Sequence, residues 1–225
     1  MQNDNEKMNT GDKINDFVQR NRKGIFITLG ALIAILIGLV AYFSISDNLN
    51  KKVISELDEL SGRYADIQLF EEEDFRTDEV DTILEDIIKF ASKNNRGFPG
   101  SKAWSYIALI YSGRKDWSKA EDAWLKSAAA GDNTYLGPIA LFNASAAAEE
   151  QGKNDVAIEL LQKCIAHKFE FPAAPRAQFS IGRLYEQRGD SQAALEAYRA
   201  VLINWPQMPV WQHLARSRIT AIEVR

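Results

Sequence analysis

Between Gly24 and Ser46 the chain carries no charged residue. Ile25 to Ile45 reads IFITLGALIAILIGLVAYFSI, apolar all round a helix, with Thr28, Tyr42 and Ser44 its only hydroxyls. As an α-helix these 21 residues span about 31 Å, close to the hydrocarbon thickness of a bilayer. The pattern predicts a transmembrane helix over 25–45. A buried helix of a soluble domain rarely runs so long without a polar face. A cleavable signal peptide is disfavoured by the length of the stretch and by the lack of an A-x-A site after it. Downstream the period changes. Three segments align without gaps: KAWSYIALIYSGRKDWSKAEDAWLKS, IALFNASAAAEEQGKNDVAIELLQKC and RAQFSIGRLYEQRGDSQAALEAYRAV. Their alanines Ala120, Ala157 and Ala194 fall 37 residues apart. The repeating unit is a helix, a polar turn and a second helix.

Ala108, Ser145 and Gly182 stand at the same place in the first helix of each unit. Small residues there, matched by the three alanines on the second helix, let the paired helices approach closely. Trp104, Tyr111, Trp124, Tyr185 and Tyr198 are expected to fill the space between units, and Gly113, Gly152 and Gly189 to mark the turns. Inter-unit turns are expected around Ala130–Asp132 and Lys168–Phe171. A repeat array needs covered ends. Pro206 to Val224 supplies one as an amphipathic helix, with Trp211, Leu214, Ile219 and Ile222 inward and Arg216 and Arg218 outward. Val53 to Ala91 supplies the other, as helices separated by the acidic run Glu71–Asp74. The expected division is a short tail over 1–24, a membrane helix over 25–45, juxtamembrane and capping helices over 47–100, three repeats over 101–206 and a closing helix over 207–225.

The repeats resemble the tetratricopeptide repeat (TPR), a unit of about 34 residues with Trp, Leu, Gly and Tyr on its first helix and Ala, an aromatic and Pro on or after its second. The first unit offers Trp104, Ile107, Ala108, Tyr111, Ala120 and Trp124. The third offers Ile181, Gly182, Tyr185, Ala194, Tyr198 and Pro206, and the middle one Ala144, Ser145, Ala148, Ala157 and Leu161. The resemblance covers about Lys102 to Pro206. It implies an all-α fold in which one N-terminal transmembrane helix is followed by a TPR-like solenoid of helical hairpins. In that family the first helices of successive units line a concave groove that takes peptides or partner helices. Carried over, the groove positions are Leu109, Phe142, Glu149, Arg176, Phe179, Arg183 and Glu186. Apolar anchors beside charges of both signs suit short protein segments; Phe142 and Phe179 equally suit completion of the core.

The net charge of −4 gives no drive toward nucleic acid or an anionic surface. One cysteine, Cys164, excludes an intrachain disulfide and is read as a small core hydrophobe. No Walker A loop, HExxH, GxSxG, EF-hand or paired CxxC occurs. His167 and His213 are too few and too isolated for a metal site, and His167 is read as a solvated or capping residue. Glu71–Asp74 is read as a solvated turn. Asn143-Ala-Ser145 matches a glycosylation sequon but lies in a predicted packed helix. No enzyme activity, cofactor, small-molecule substrate or nucleic-acid partner is expected.

Arg20, Arg22 and Lys23 precede the apolar stretch, whereas Asp47, Lys51 and Lys52 follow it. The bias favours a cytoplasmic N-terminus and an extracytoplasmic C-terminal domain, periplasmic in a cell with two membranes. Gly30, Ala34 and Gly38 share one helix face; such spacing lets membrane helices pack closely, although small residues are common in membrane helices anyway. Cytoplasmic tail, one span and an extracytoplasmic repeat domain resemble in layout the ancillary subunit of the bacterial Sec translocon, a family that links the translocon to periplasmic chaperones. That implies a membrane-anchored adaptor for other proteins. The alternative is a scaffold for an envelope complex of division or wall synthesis.

Overall fold

A computed structural model describes residues 10–67 and 78–224, without side-chain placement at 10–14, 16, 25, 28, 30, 41–49 and 67. Among the described residues all regular structure is helical. The helices are α1 (Thr10–Ile67), α2 (Asp78–Lys93), α3 (Gly97–Gly113), α4 (Trp117–Ala130), α5 (Leu136–Glu150), α6 (Asn154–Ile165), α7 (Ala174–Gln187), α8 (Ser191–Asn204) and α9 (Pro209–Glu223). The chain divides into two units, Met1–Lys52 and Val53–Arg225. The acidic run Glu71–Asp74 lies outside the described residues.

The first unit is the leading part of α1. The expected short tail over 1–24 is largely helix from Thr10 on, because nothing in 10–24 breaks a helix: no proline occurs there, and glycine only at 11 and 24. Its large apolar side chains are uncovered, with Phe26, Ile27, Ile37 and Val40 between 65% and 72% exposed. Among the described residues no helix is long and apolar enough to cross a membrane. Within the 25–45 stretch the side chains of 25, 28, 30 and 41–45 are outside those described.

In the second unit the end of α1 turns amphipathic. Leu57, Leu60 and Tyr64 recur at helical spacing and are buried, and Tyr64 lies 4.4 Å, centroid to centroid, from Tyr106 of α3. Asp78, Glu79 and Asp81 in the first turn of α2 complement its helix dipole. Val80, Ile83, Leu84, Ile87 and Phe90 form its buried face. Then come three helical hairpins, α3/α4, α5/α6 and α7/α8. Ala108, Ala120, Ala157 and Ala194 are fully buried and Ser145 nearly so. At Gly182 a Cβ would meet the Tyr198 ring at 2.6 Å, so the third hairpin closes only around a glycine. Tyr198 thus fills its own hairpin rather than the gap between units, because the missing side chain opposite it leaves the room. Trp104, Tyr111 and Tyr185 are half-buried, each with a cation from its own hairpin over the ring: Lys126, Lys119 and Arg188.

The three hairpin turns are the same structure. Asp116, Lys153 and Asp190 donate their N–H groups to the carbonyls of Tyr111, Ala148 and Tyr185 at 2.9, 3.0 and 2.9 Å. Lys115, Gly152 and Gly189 donate to Ser112, Glu149 and Glu186 at 2.9, 2.8 and 3.0 Å. This double bond pattern closes a helix through one left-handed residue. That residue is Gly152 (φ 72°), Gly189 (φ 79°) and, in the first turn, Lys115 (φ 59°). Gly113 therefore does not make the first turn; it is the last residue of α3. A side chain in the left-handed region costs about 1–2 kcal/mol that glycine avoids. Lys115→Gly is expected to raise the stability of the Val53–Arg225 unit by about 1 kcal/mol, and Gly189→Ala to lower it by a similar amount. Urea titration of both variants checks the pair.

Successive hairpins are joined by 131–135 and 166–173, and α8 reaches α9 through 205–208. Across the first joint the nearly buried Glu121 carboxylate accepts from Gln151 at 2.7 Å and Lys153 at 2.9 Å. In α9, Ala215 is fully buried and the Gln212 amide caps α8 by donating to the Leu202 and Trp205 carbonyls at 3.0 and 3.2 Å. Two expectations for this helix fail. Leu214 is 38% exposed rather than inward, and Arg218 points in, to Glu186 of α7. Ala215 takes the contact with α8, and that rotates Leu214 to the outer side.

Candidate partner-binding face

The first helices of the hairpins, α3, α5 and α7, together with α9, share one face. Phe142 of α5 is half-buried; its ring lies 5.3 Å from Phe171, and the Arg176 guanidinium of α7 sits over it at 5.2 Å. Glu149 of α5 and Arg183 of α7 form a two-pronged ion pair, both contacts 2.6 Å. The Glu149 carboxylate raises the Arg183 pKa further above its ordinary value. Phe179 of α7 lies 5.1 Å from Tyr198 and 5.7 Å from Trp211 of α9. Glu186 accepts from the Tyr198 hydroxyl at 3.0 Å and pairs with Arg218 of α9. Leu109 of α3 is 38% exposed.

Of the seven sequence-derived positions, the structure thus joins Phe142 with Arg176 and Glu149 with Arg183, and ties Phe179 and Glu186 to α8 and α9. The charges of Glu149, Arg183 and Glu186 are spent inside the array. Leu109, Ala146 and Arg176 are exposed on this face. Sequence reading missed Phe171, Trp211, Tyr198 and Arg218 as parts of this face. A signal was available: acid and base pair across units at offsets near one repeat, 34 for Glu149–Arg183, 32 for Glu186–Arg218 and 33 for both Asp81–Arg114 and Asp155–Arg188.

The other candidates separate from this face. Cys164 is fully buried, its thiol 3.1 Å from the Pro138 carbonyl. His167 is not solvated. Its side chain is 9% exposed, its Nδ1 accepts from the Phe169 N–H at 3.1 Å, and it packs where a Cβ at Gly137 would stand 2.8 Å away. A cleft of about 260 Å³ between α6, α7 and α8 is lined by Gln162, Gln178, Ile181, Tyr185 and Glu196. Another, of about 250 Å³ between α1 and α2, has Leu60 and Phe90 beside a rim of mixed charges. Among the described residues no three His, Cys, Asp or Glu side chains gather as metal ligands would. In the membrane-helix trio Gly38 has open space where a Cβ would point, Ala34 is exposed, and Gly30 lies outside the described side chains.

Stacked hairpins with small residues at the crossing define the class of fold, a TPR-like helical repeat array. The tetratricopeptide repeat family matches residues 142–209. A TPR repeat-containing protein of Treponema pallidum (strain Nichols) is 36% identical over 128 residues, 57% of this chain and 53% of that protein. The match spans about half the length of that relative. Two solved structures share the fold: MamA, at 24% identity and TM-score 0.50 over 67% of this chain and 76% of that one; and the nearly identical TPR-like repeats of a Podosopora anserina putative kinesin light chain, at 13% and 0.50 over 76% and 90%.

Proposed function

We propose that the chain is a membrane-anchored adaptor whose repeat array binds a short segment of another protein on the face of α3, α5 and α7. One observation carries the reading: the first helices α5 and α7 are stitched edge to edge by Phe142–Arg176 and Glu149–Arg183, which fixes their shared surface, while Leu109 of α3, Ala146 and Arg176 stay exposed. A preformed surface spares a ligand the cost of ordering its receptor. The match to a repeat family used for protein binding supports the same reading. The uncovered apolar side chains along 26–40 support the anchor, since water disfavours such a surface on every side of a helix. The cation bias before the stretch supports a cytoplasmic N-terminus with the repeats across the membrane. The layout makes a protein translocon and its extracytoplasmic chaperones the first partners to test.

The test is purification of the full chain in mild detergent, beside Leu109→Asp and Ala146→Asp. Both positions are exposed, so the fold should persist while recovery of soluble partners falls about ten-fold or more, the scale of a buried charge in an interface core. Unchanged recovery would sink the face. A second expectation concerns the span: Gly30→Leu/Ala34→Leu/Gly38→Leu should still insert, because leucine favours the bilayer, yet lose membrane partners that need close helix approach. Carbonate extraction and separate scoring of membrane and soluble partners check it.

A further inference from the structure

We infer that the outer face of α9 pairs with the same face of a second copy of this chain, as two antiparallel helices crossing at Ser217. Within the array α9 stands where a fourth unit has its first helix. Arg218 takes Glu186 of the preceding unit as Arg183 takes Glu149. Ser217 comes directly before Arg218, as Gly182 comes directly before Arg183. At that place Ala108, Ser145 and Gly182 are buried, where the second helix of each hairpin crosses. Ser217 is exposed, and among the described residues no second helix follows α9. At about 100° per residue Val210, Leu214, Ala221 and Val224 fall within about 60° of Ser217, with His213 and Thr220 on the margins of the same band. All are exposed, Val210 by 66% and Val224 by 82%. Arg216, Arg218 and Glu223 lie about 100° or more away. Two of these are already paired within the chain, Arg218 with Glu186 and Glu223 with Arg199 at 2.9 Å.

These features select the occupant. A partner recognised by charge finds no carboxylate, lysine or arginine on the band. A two-fold pair centres one patch on its own copy, so a charge at the centre meets its like; a band without one escapes that penalty. An antiparallel pair centred on Ser217 puts Val210 opposite Val224, Leu214 opposite Thr220 and His213 opposite Ala221. Apolar side chains meet at both ends, and the imidazole ring lies against a single methyl. At the centre Ser217 meets itself, small against small, which lets the two helices approach as closely as those within a hairpin. With 15 residues α9 is about 22 Å long, so the contact is small and the dimer weak and reversible. The pairing does not depend on the adaptor or membrane readings.

The full chain carrying Ser217→Cys is purified in mild detergent and oxidised, and growth of a disulfide-linked dimer is followed on non-reducing gels and by mass. Cys164 is fully buried and stays silent. A residue on a two-fold axis meets its own copy, so the bond should form about ten-fold or more faster than in Ser118→Cys, an exposed position on α4. Adding Val210→Asp sets a carboxylate against Val224 of the second copy and should return the rate to that of Ser118→Cys. Val210 is exposed, so the urea midpoint should not move. In the Gly30→Leu/Ala34→Leu/Gly38→Leu background the fast rate should hold, which separates this pairing from one made by α1. Equal rates at 217 and 118 overturn the pairing. So does a fast rate that survives Val210→Asp, or one that is lost with the triple leucine change. Capture of a different protein at Ser217→Cys in place of the dimer overturns it as well, since the face then belongs to that protein.

Discussion

Truncating Tyr198 to alanine is expected to destabilise the Val53–Arg225 unit by about 3–5 kcal/mol, the range for loss of a large buried aromatic. Tyr198 is fully buried and heads the largest side chains in the core. Its ring occupies the space that the absent side chain of Gly182 leaves, lies tilted against Phe179 and bonds Glu186 through its hydroxyl. The size of the loss has a specific partner test. Gly182→Ala alone places a Cβ at 2.6 Å from the ring, so it too should destabilise, by about 1–3 kcal/mol as overpacking does. In the Tyr198→Ala background the same methyl enters empty space and should cost little. The two changes are therefore strongly non-additive, and a double-mutant cycle from urea titrations reads the coupling directly. Additive losses would mean that the hairpin does not close as described.

The period of 37 was legible because alanine is demanded wherever two helices cross closely, and Ala120, Ala157 and Ala194 are each fully buried. Turn positions were only partly legible. Glycine announces a left-handed residue at 152 and 189, but the first turn uses Lys115, and sequence gives no sign of a lysine held at positive φ. Gly113, two residues earlier, is the last residue of α3 and not the left-handed one. The inward side of α9 was misjudged for a related reason. Its apolar residues occupy more than one flank, and which flank is inward depends on the length of the 205–208 connection rather than on the helix itself. For the candidate face, the residue types were readable but their partners were not. Glu149 and Glu186 look like free acceptors until the next unit supplies Arg183 and Arg218. Repeat stacking creates these pairs, so they exist only once the array is assembled.

Alkaline pH is expected to unfold the repeat unit through two groups held neutral in its core. Burial pushes the Cys164 thiol up to about 12. Burial first, and then the Glu186 carboxylate beside its hydroxyl, pushes the Tyr198 phenol up to about 12. In the unfolded chain these groups titrate near about 8.5 and about 10. Below pH 8 both states hold both protons and stability does not depend on them. As pH rises past the unfolded values, the unfolded chain releases protons that the folded chain keeps. The unfolded state then binds fewer protons, so stability falls with rising pH. The loss should start near pH 8, steepen above 10 and be complete near 12, amounting to several kcal/mol in all. Lysines discharge in the same range, so variants isolate the two groups. Tyr198→Phe keeps the ring and deletes the hydroxyl; Cys164→Ala deletes the thiol. Each starts less stable at pH 7, through loss of the Glu186 bond or of packing, but its stability should decline less steeply between pH 9 and 11. Urea midpoints at pH 7, 9, 10 and 11 give the slopes. Parallel curves for wild type and both variants would show that neither group is held protonated by the fold.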